Sequence, residues 1–211
     1  MPRPRFDKLS PERREQMMEA AAREFAQHGY DGASLNHILQ AAGVSKGAAY
    51  YYFDDKADLF VTVVGHYAEH LAEHTDYDLA HLDAKRFWPA LEELYRQGID
   101  HLDENPWMLG VAKSVWRLSK EARGQRKLAD LFGASRQLLE GFVERGQKVG
   151  AIRRDLPTDL LVSLIVGLDA AWDQWFLENL ERRPAREMKE ITYKLLGAAR
   201  RLLEPDKGAR K

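Results

Sequence analysis

Ser45-Lys46-Gly47-Ala48, followed after Ala49 by Tyr50-Tyr51-Tyr52, is the stretch of this chain whose residue types suit recognition of a polyanion. A serine that caps a helix leaves the free N–H groups and positive dipole end of the first turn facing outward, where a phosphate can be held. Lys46 adds a charge at that tip. Gly47 and Ala48 leave the front of the helix bare, so it can approach base edges in a major groove. The tyrosine hydroxyls reach phosphate oxygens, and their rings pack on sugars or thymine methyl groups. The competing interpretation is a plain αα-hairpin with a surface tyrosine cluster.

The elements that must hold this tip are legible on either side. Leu35, Ile38, Leu39 and Ala42 fall on one face of a short helix, with Ser34 as its N-cap. Gly43 follows where the chain leaves the helix and positive φ is needed. Val44 can plug the crevice of the turn. Ser45 then caps a second helix from Lys46 to about Phe53, so the whole reads as a helix-turn-helix. Asp54 and Asp55 cap the next helix, which offers Lys56 to the DNA backbone. Upstream, Ser10-Pro11 is a strong start signal. Met17, Ala21 and Phe25 line a bracing helix that ends near His28, with Gly29 as its stop. Residues 1–9 carry no core pattern, and the expectation is a solvated tail, with a basic arm touching DNA as the alternative.

Ala41 to Phe60 resembles the DNA-binding signature of the TetR (tetracycline-repressor-like) family of transcriptional regulators. Phe25, Gly29, Tyr30, Gly32, Ser34 and Ile38 also stand where that family carries similar residues. Two positions depart from the pattern: Ala49 replaces a usual leucine and Leu39 a usual alanine. The resemblance covers about a quarter of the chain. It implies a repressor with a pseudo-palindromic double-stranded DNA operator, half-sites roughly 34 Å apart or somewhat more, and a small-molecule effector. In that role Lys46, Gly47, Ala48 and Tyr51 face base edges, with Asn36 and Tyr52 as lesser candidates. Ser34, Ser45, Tyr50 and Lys56 position the backbone.

Composition sets further bounds. The 211 residues contain no cysteine, which excludes disulfides, thiolate nucleophiles and cysteine-ligated zinc. Neither a secretory signal nor an apolar run of membrane-spanning length is present, so a soluble, cytoplasmic protein is expected. The net charge of −1 is low for a DNA-binding protein. Met1 to Lys56 holds eight basic and eight acidic residues. Position must therefore matter more than total, with Glu15, Glu19 and Glu24 turned away from DNA and a shallow dependence of binding on salt.

The remainder reads as helices throughout: Asp55 to about His74, Lys85 to Asp103, Pro106 to Ser119, Ala122 to Val149 with a stop at Gly150, Leu160 to Leu180, and Pro184 to Glu204. Leu160 to Leu168 is apolar around its whole circumference, so burial on every side is expected. The last helix shows a seam of Met188, Ile191, Leu195, Ala199 and Leu202. The expected fold is all-α with about nine helices. A three-helix DNA-binding head spans residues 1–54, and a larger ligand-binding and dimerisation domain spans 55–211.

Small residues beside large apolar ones, Gly167, Ala170 and Ala171 on one helix and Leu195 and Ala199 on the next, suit close packing against a second copy. Homodimerisation is expected, with a well-filled monomer as the alternative. Aromatic residues are dense outside the head. They line a cavity for a small, largely apolar effector or simply fill core. Trp116, Phe132 and Trp172 are the pocket candidates. Asp169 and Asp173 share a stripe, where pairing or exposure is favoured over binding a cationic ligand.

His66, His70 and His74 share a helical face, but nothing in the sequence names a third ligand. The expectation is a solvated or partner-facing row, with no metal and no cofactor. No catalytic arrangement stands out, and no enzyme is expected. A helical ligand-binding or scaffolding protein whose head docks to protein is the alternative from another class.

Overall fold

The computed structural model describes residues 3–44, 51–73, 82–104, 106–118, 120–179 and 182–206. Among these residues every regular element is helical. In chain order they are α1 (Pro11–Gly32), α2 (Leu35–Ala41), α3 (Lys56–Glu73), α4 (Phe87–Glu104), α5 (Pro106–Trp116), α6 (Lys120–Arg123), α7 (Arg126–Val149), α8 (Thr158–Asn179) and α9 (Ala185–Leu203). The expected all-α architecture is met.

Two compact units divide the chain, one of residues 1–74 and 100–132, the other of residues 75–99 and 133–211. In the first, Ser10 caps α1, its Oγ accepting from Arg13 N at 3.4 Å. Gly29 then takes φ 65°, which breaks the helix one residue after His28 as its sequence suggested. Met17, Ala21 and Phe25 are buried with Ile38, Leu59, Phe60 and Val63. Phe25 meets Phe60 edge-on at 4.9 Å, and Tyr30 meets Phe60 at 5.2 Å. Burying each such ring stabilises the unit by ~1.5–3 kcal/mol. α5 crosses α1 at Gly110, where a Cβ would stand 2.4 Å from that of Ala26. Only glycine permits that approach.

The expectation of a solvated N-terminal tail is corrected here. Phe6 is buried, its ring 5.1 Å from Phe53, and Arg3 N donates to the Tyr52 carbonyl at 2.8 Å. One aromatic residue suffices to anchor an otherwise polar arm. The single helix expected from Ala122 to Val149 is also interrupted. Gly124 and Gln125 form a turn, their amides donating to Glu121 and Ala122, and α7 begins only at Arg126.

In the second unit Phe87, Trp88, Val143, Ile152, Leu161, Val162 and Leu203 form the core. Trp88 Nε1 donates to the Ala151 carbonyl at 3.1 Å, and Gly150 ends α7 at φ 80°. Two expectations change. The start of α8 is not buried on every side: Leu161 and Val162 are covered, but Leu160 is 44%, Leu164 37% and Val166 46% exposed. Among the described residues, only the Leu161–Val162 side of the start of α8 is covered. On α9 the inward seam runs through Met188, Leu196 and Leu203, whereas Leu202 is exposed. The period of 3.6 shifts the buried stripe by one residue at its end.

Candidate nucleic-acid interface

α2 is built as its sequence suggested. Ser34 Oγ accepts from His37 N at 3.4 Å, and Ser34 N donates to Glu24 Oε1 at 2.8 Å. Asn36 is exposed beside it. Gly43 takes φ 65°, letting Val44 N return to the Leu39 carbonyl at 2.8 Å. The chain thereby turns out of α2 with its carbonyls satisfied. Ser45, Lys46, Gly47, Ala48 and Tyr50 lie outside the described residues.

Tyr51 and Tyr52 are helical. Tyr51 is 53% exposed, with the Arg5 guanidinium 5.0 Å from its ring centre. Tyr52 is half-buried and meets Phe6 edge-on at 6.5 Å. The N-terminal arm therefore brings two basic residues to the helix that carries the tyrosines. The sequence offered a basic arm touching DNA only as an alternative to a solvated tail, and a lone Phe6 in that polar arm gave no periodic signal of its anchoring.

Asp55 Oδ1 accepts from Asp58 N at 2.7 Å, so it caps α3. Asp54 pairs with Arg3 at 2.8 Å, and this hydrogen bond holds its carboxyl below the usual carboxylate range. Lys127 stands 3.6 Å from Asp54, 3.2 Å from Asp55 and 3.6 Å from the buried Asp58. Cations from two other segments thus offset the acidic pair beside the tyrosines. Lys56 is placed differently from a plain backbone contact. Its Nζ donates to the carbonyls of Asp31 at 3.0 Å and Ala33 at 3.2 Å, and lies 4.9 Å from the Tyr30 ring centre. It ties the start of α3 to the end of α1.

The acids of α1 have partners inside the fold. Glu24 lies 3.5 Å from His37, Glu19 pairs with Arg23 at 2.5 Å, and Glu15 lies 3.0 Å from His66.

In the second unit α4, α7, α8 and α9 enclose a mainly apolar cavity of about 170 Å³, whose walls include Trp88, Tyr95, Phe142, Ile165, Leu168 and Leu196. None of the three pocket candidates lines it. Phe132 packs on the core of the first unit under the Arg123 guanidinium, 5.2 Å away. Trp172 stacks on Trp175 at 5.5 Å, and the Trp116 side chain lies outside the description. Trp88, Tyr95 and Phe142 belonged to the dense aromatic set, but helical spacing alone did not separate them from core.

Desolvation around its hydroxyl pushes Tyr95 up to about 12, and the charges of Asp169 and Asp173 add to the shift. Asp173 rises to about 7, through desolvation first and Asp169 second. Asp169 reaches the surface yet sits in a densely packed surround that raises its carboxyl. Arg200 is held within the chain by Glu92 at 2.9 Å and Glu204 at 2.7 Å. Gly167, Ala170 and Ala171 are exposed, while Leu195 and Ala199 are half-buried.

A capped helix, a glycine turn and an exposed tyrosine-bearing helix end, on an all-helical body, fit a DNA-binding regulator of the helix-turn-helix class. Residues 17–63 match the family described as bacterial regulatory proteins, tetR family. Over these residues the chain is similar to the TetR family of transcriptional regulators. It is 26% identical over 153 residues to the HTH-type transcriptional repressor AcnR of Corynebacterium diphtheriae, covering 71% of this chain and 73% of that one. It is 25% identical over 173 residues to the probable acrEF/envCD operon repressor of Escherichia coli K12, covering 79% and 77%. Its fold is similar to the transcriptional regulator FadR of Bacillus subtilis, solved in complex with stearoyl-CoA. The TM-score there is 0.65 at 21% identity, over 88% of this chain and 98% of that one. Among the described residues no helix is long and apolar enough to cross a membrane.

Proposed function

We propose that this regulator is a cytoplasmic homodimeric repressor, released from a pseudo-palindromic operator by a small, largely apolar or aromatic effector. The head is residues 1–54 and the ligand-binding and dimerisation domain residues 55–211. Lys46, Gly47, Ala48 and Tyr51 read base edges, assisted by Asn36 and Tyr52, while Ser34, Ser45 and Tyr50 fix the DNA backbone and Lys56 braces the start of α3 against the end of α1. The single observation that carries this is the pairing of a positive-φ turn at Gly43, which closes α2, with an exposed, helical Tyr51 eight positions on.

The effector site is the cavity between α4, α7, α8 and α9. At about 170 Å³ it matches a cavity of ~150 Å³ that accepts benzene, so its natural occupant is one ring or a short branched chain. A longer acyl chain, as in the FadR complex, would require the helices to part. An effector releases DNA only by favouring the state whose heads are wrongly spaced, by the difference of its affinities for the two states.

The test is a gel shift with the full chain on DNA flanking its own gene. Retardation that Lys46→Ala abolishes or redirects to other sequences supports the assignment. No retardation on any genomic fragment overturns it.

A further inference from the structure

His66 and His70 lie one turn apart on α3, their ring centres separated by 5.1 Å. The sequence named no third donor for this pair. The tertiary structure supplies one from α1: Glu15 Oε2 stands 3.0 Å from His66 Nε2, across 51 positions of sequence. One ligand atom from each of Glu15, His66 and His70 lies within 4.8 Å of the other two. We propose that these three side chains form a binding site for a divalent transition-metal ion of the zinc class, which clips α1 to α3 inside the first unit.

The donor set selects the metal. Two imidazole nitrogens and one carboxylate oxygen suit zinc, nickel or copper, whereas magnesium and calcium prefer oxygen throughout. Tetrahedral zinc at ~2.0–2.1 Å from each donor sets neighbouring donors roughly 3.3 Å apart. The Glu15–His66 pair already stands near that spacing, and side-chain torsion of His70 closes the remainder.

The surroundings favour a cation. The site opens on a cleft of about 570 Å³ lined by Asp7, Glu15 and Glu69 against Arg14, so three carboxylates face one guanidinium. The cleft leaves a fourth coordination position for water. Trp107 lies nearly parallel to His66 at 6.5 Å and edge-on to His70 at 6.4 Å. His101, 8% exposed, lies nearly parallel to His70 at 6.2 Å. These rings flank both ligands, as the surround of a metal site does. His74, the next member of the row, lies outside the described residues.

The experiment is calorimetric titration of the metal-stripped full chain with zinc chloride. The expected result is one ion per chain with a Kd near or below ~1 μM, and a rise in Tm on adding zinc. Glu15→Gln, His66→Gln and His70→Gln should each weaken binding by ~100-fold or more, beyond the 10–100-fold that an outer-shell change costs. His37→Gln, beside Glu24 on another face, should leave it unchanged. On the wild-type chain, imidazole nitrogen NMR should show zinc perturbing His66 and His70 and sparing His28 and His37. Absence of zinc uptake, uptake that survives Glu15→Gln and His66→Gln, or perturbation at His28 and His37 instead would overturn the proposal.

Discussion

The Tyr30 hydroxyl donates to Gln125 Oε1 at 2.7 Å, joining the segment after the Gly29 kink to the turn between α6 and α7. The same ring stacks on Phe25 at 6.3 Å and carries the Lys56 ammonium above it. One side chain therefore couples the bracing helix of the DNA-binding head to α3 and to residues almost a hundred positions later.

Tyr30→Phe keeps the ring and removes the donor. Gln125 is exposed and can turn to water, so the expected cost is about 1 kcal/mol, read as a fall in Tm of ~2–4 °C. Tyr30→Ala also empties the ring's place and should cost ~3–5 kcal/mol by urea denaturation. Equal stability of Tyr30→Phe and wild type would show that the hydrogen bond contributes nothing net.

The crossing of α1 and α5 makes a matched pair of glycine substitutions informative. At Gly110 an added Cβ meets Ala26 Cβ at 2.4 Å, and the two backbones must part, whereas at Gly141 nothing lies within 4 Å. Gly110→Ala should destabilise by ~1–3 kcal/mol. Gly141→Ala, in the body of α7, should stabilise by ~0.5–1 kcal/mol. Denaturant midpoints for the two variants should move in opposite directions.

Asp173 gives a pH signature. Its carboxyl is raised from 3.8 in the unfolded chain to about 7 in the fold, so the folded state holds its proton more tightly. Stability from this group is full below pH ~4, declines between pH ~4 and 7, and stays lower above that. Asp173→Asn should therefore stabilise the protein at pH 8 by ~1–2 kcal/mol, solvent screening reducing the full effect. At pH 4 it should change little. A pH-independent difference between variant and wild type would count against the burial of this charge.

The outer face of α8 tests dimerisation. Leu160, Leu164 and Val166 are exposed in one chain beside Gly167, Ala170 and Ala171, an apolar surface of the kind a stable partner covers with ~800 Å² per side. Leu164→Glu should turn a dimer into a monomer by light scattering and lower operator affinity with it, leaving helical content intact. A dimer of unchanged stability would place the interface elsewhere.

The helix-turn-helix and its brace were legible because their signals are local. Ser10-Pro11 and Ser34 start helices, Asp55 caps α3, and Gly29, Gly43 and Gly150 end or turn helices at positive φ. The cavity was not legible in the same way. Trp88, Tyr95 and Phe142 line it while Phe132 packs on the first unit's core, yet all four occupy helical spacings alike. Phe6 was hidden for a similar reason, since one apolar residue in a polar arm has no period to reveal it.

The amino-acid sequence by itself determined the all-helical class, the caps and turns, and the family signature, because hydrogen bonding and φ restriction act between residues a few positions apart. Only the tertiary structure decided that Tyr30 reaches Gln125, that Lys56 binds the end of α1, and that Glu15 stands beside His66. Those pairings depend on which helices cross and at what depth, which the packing of every core side chain sets together and no single periodicity records.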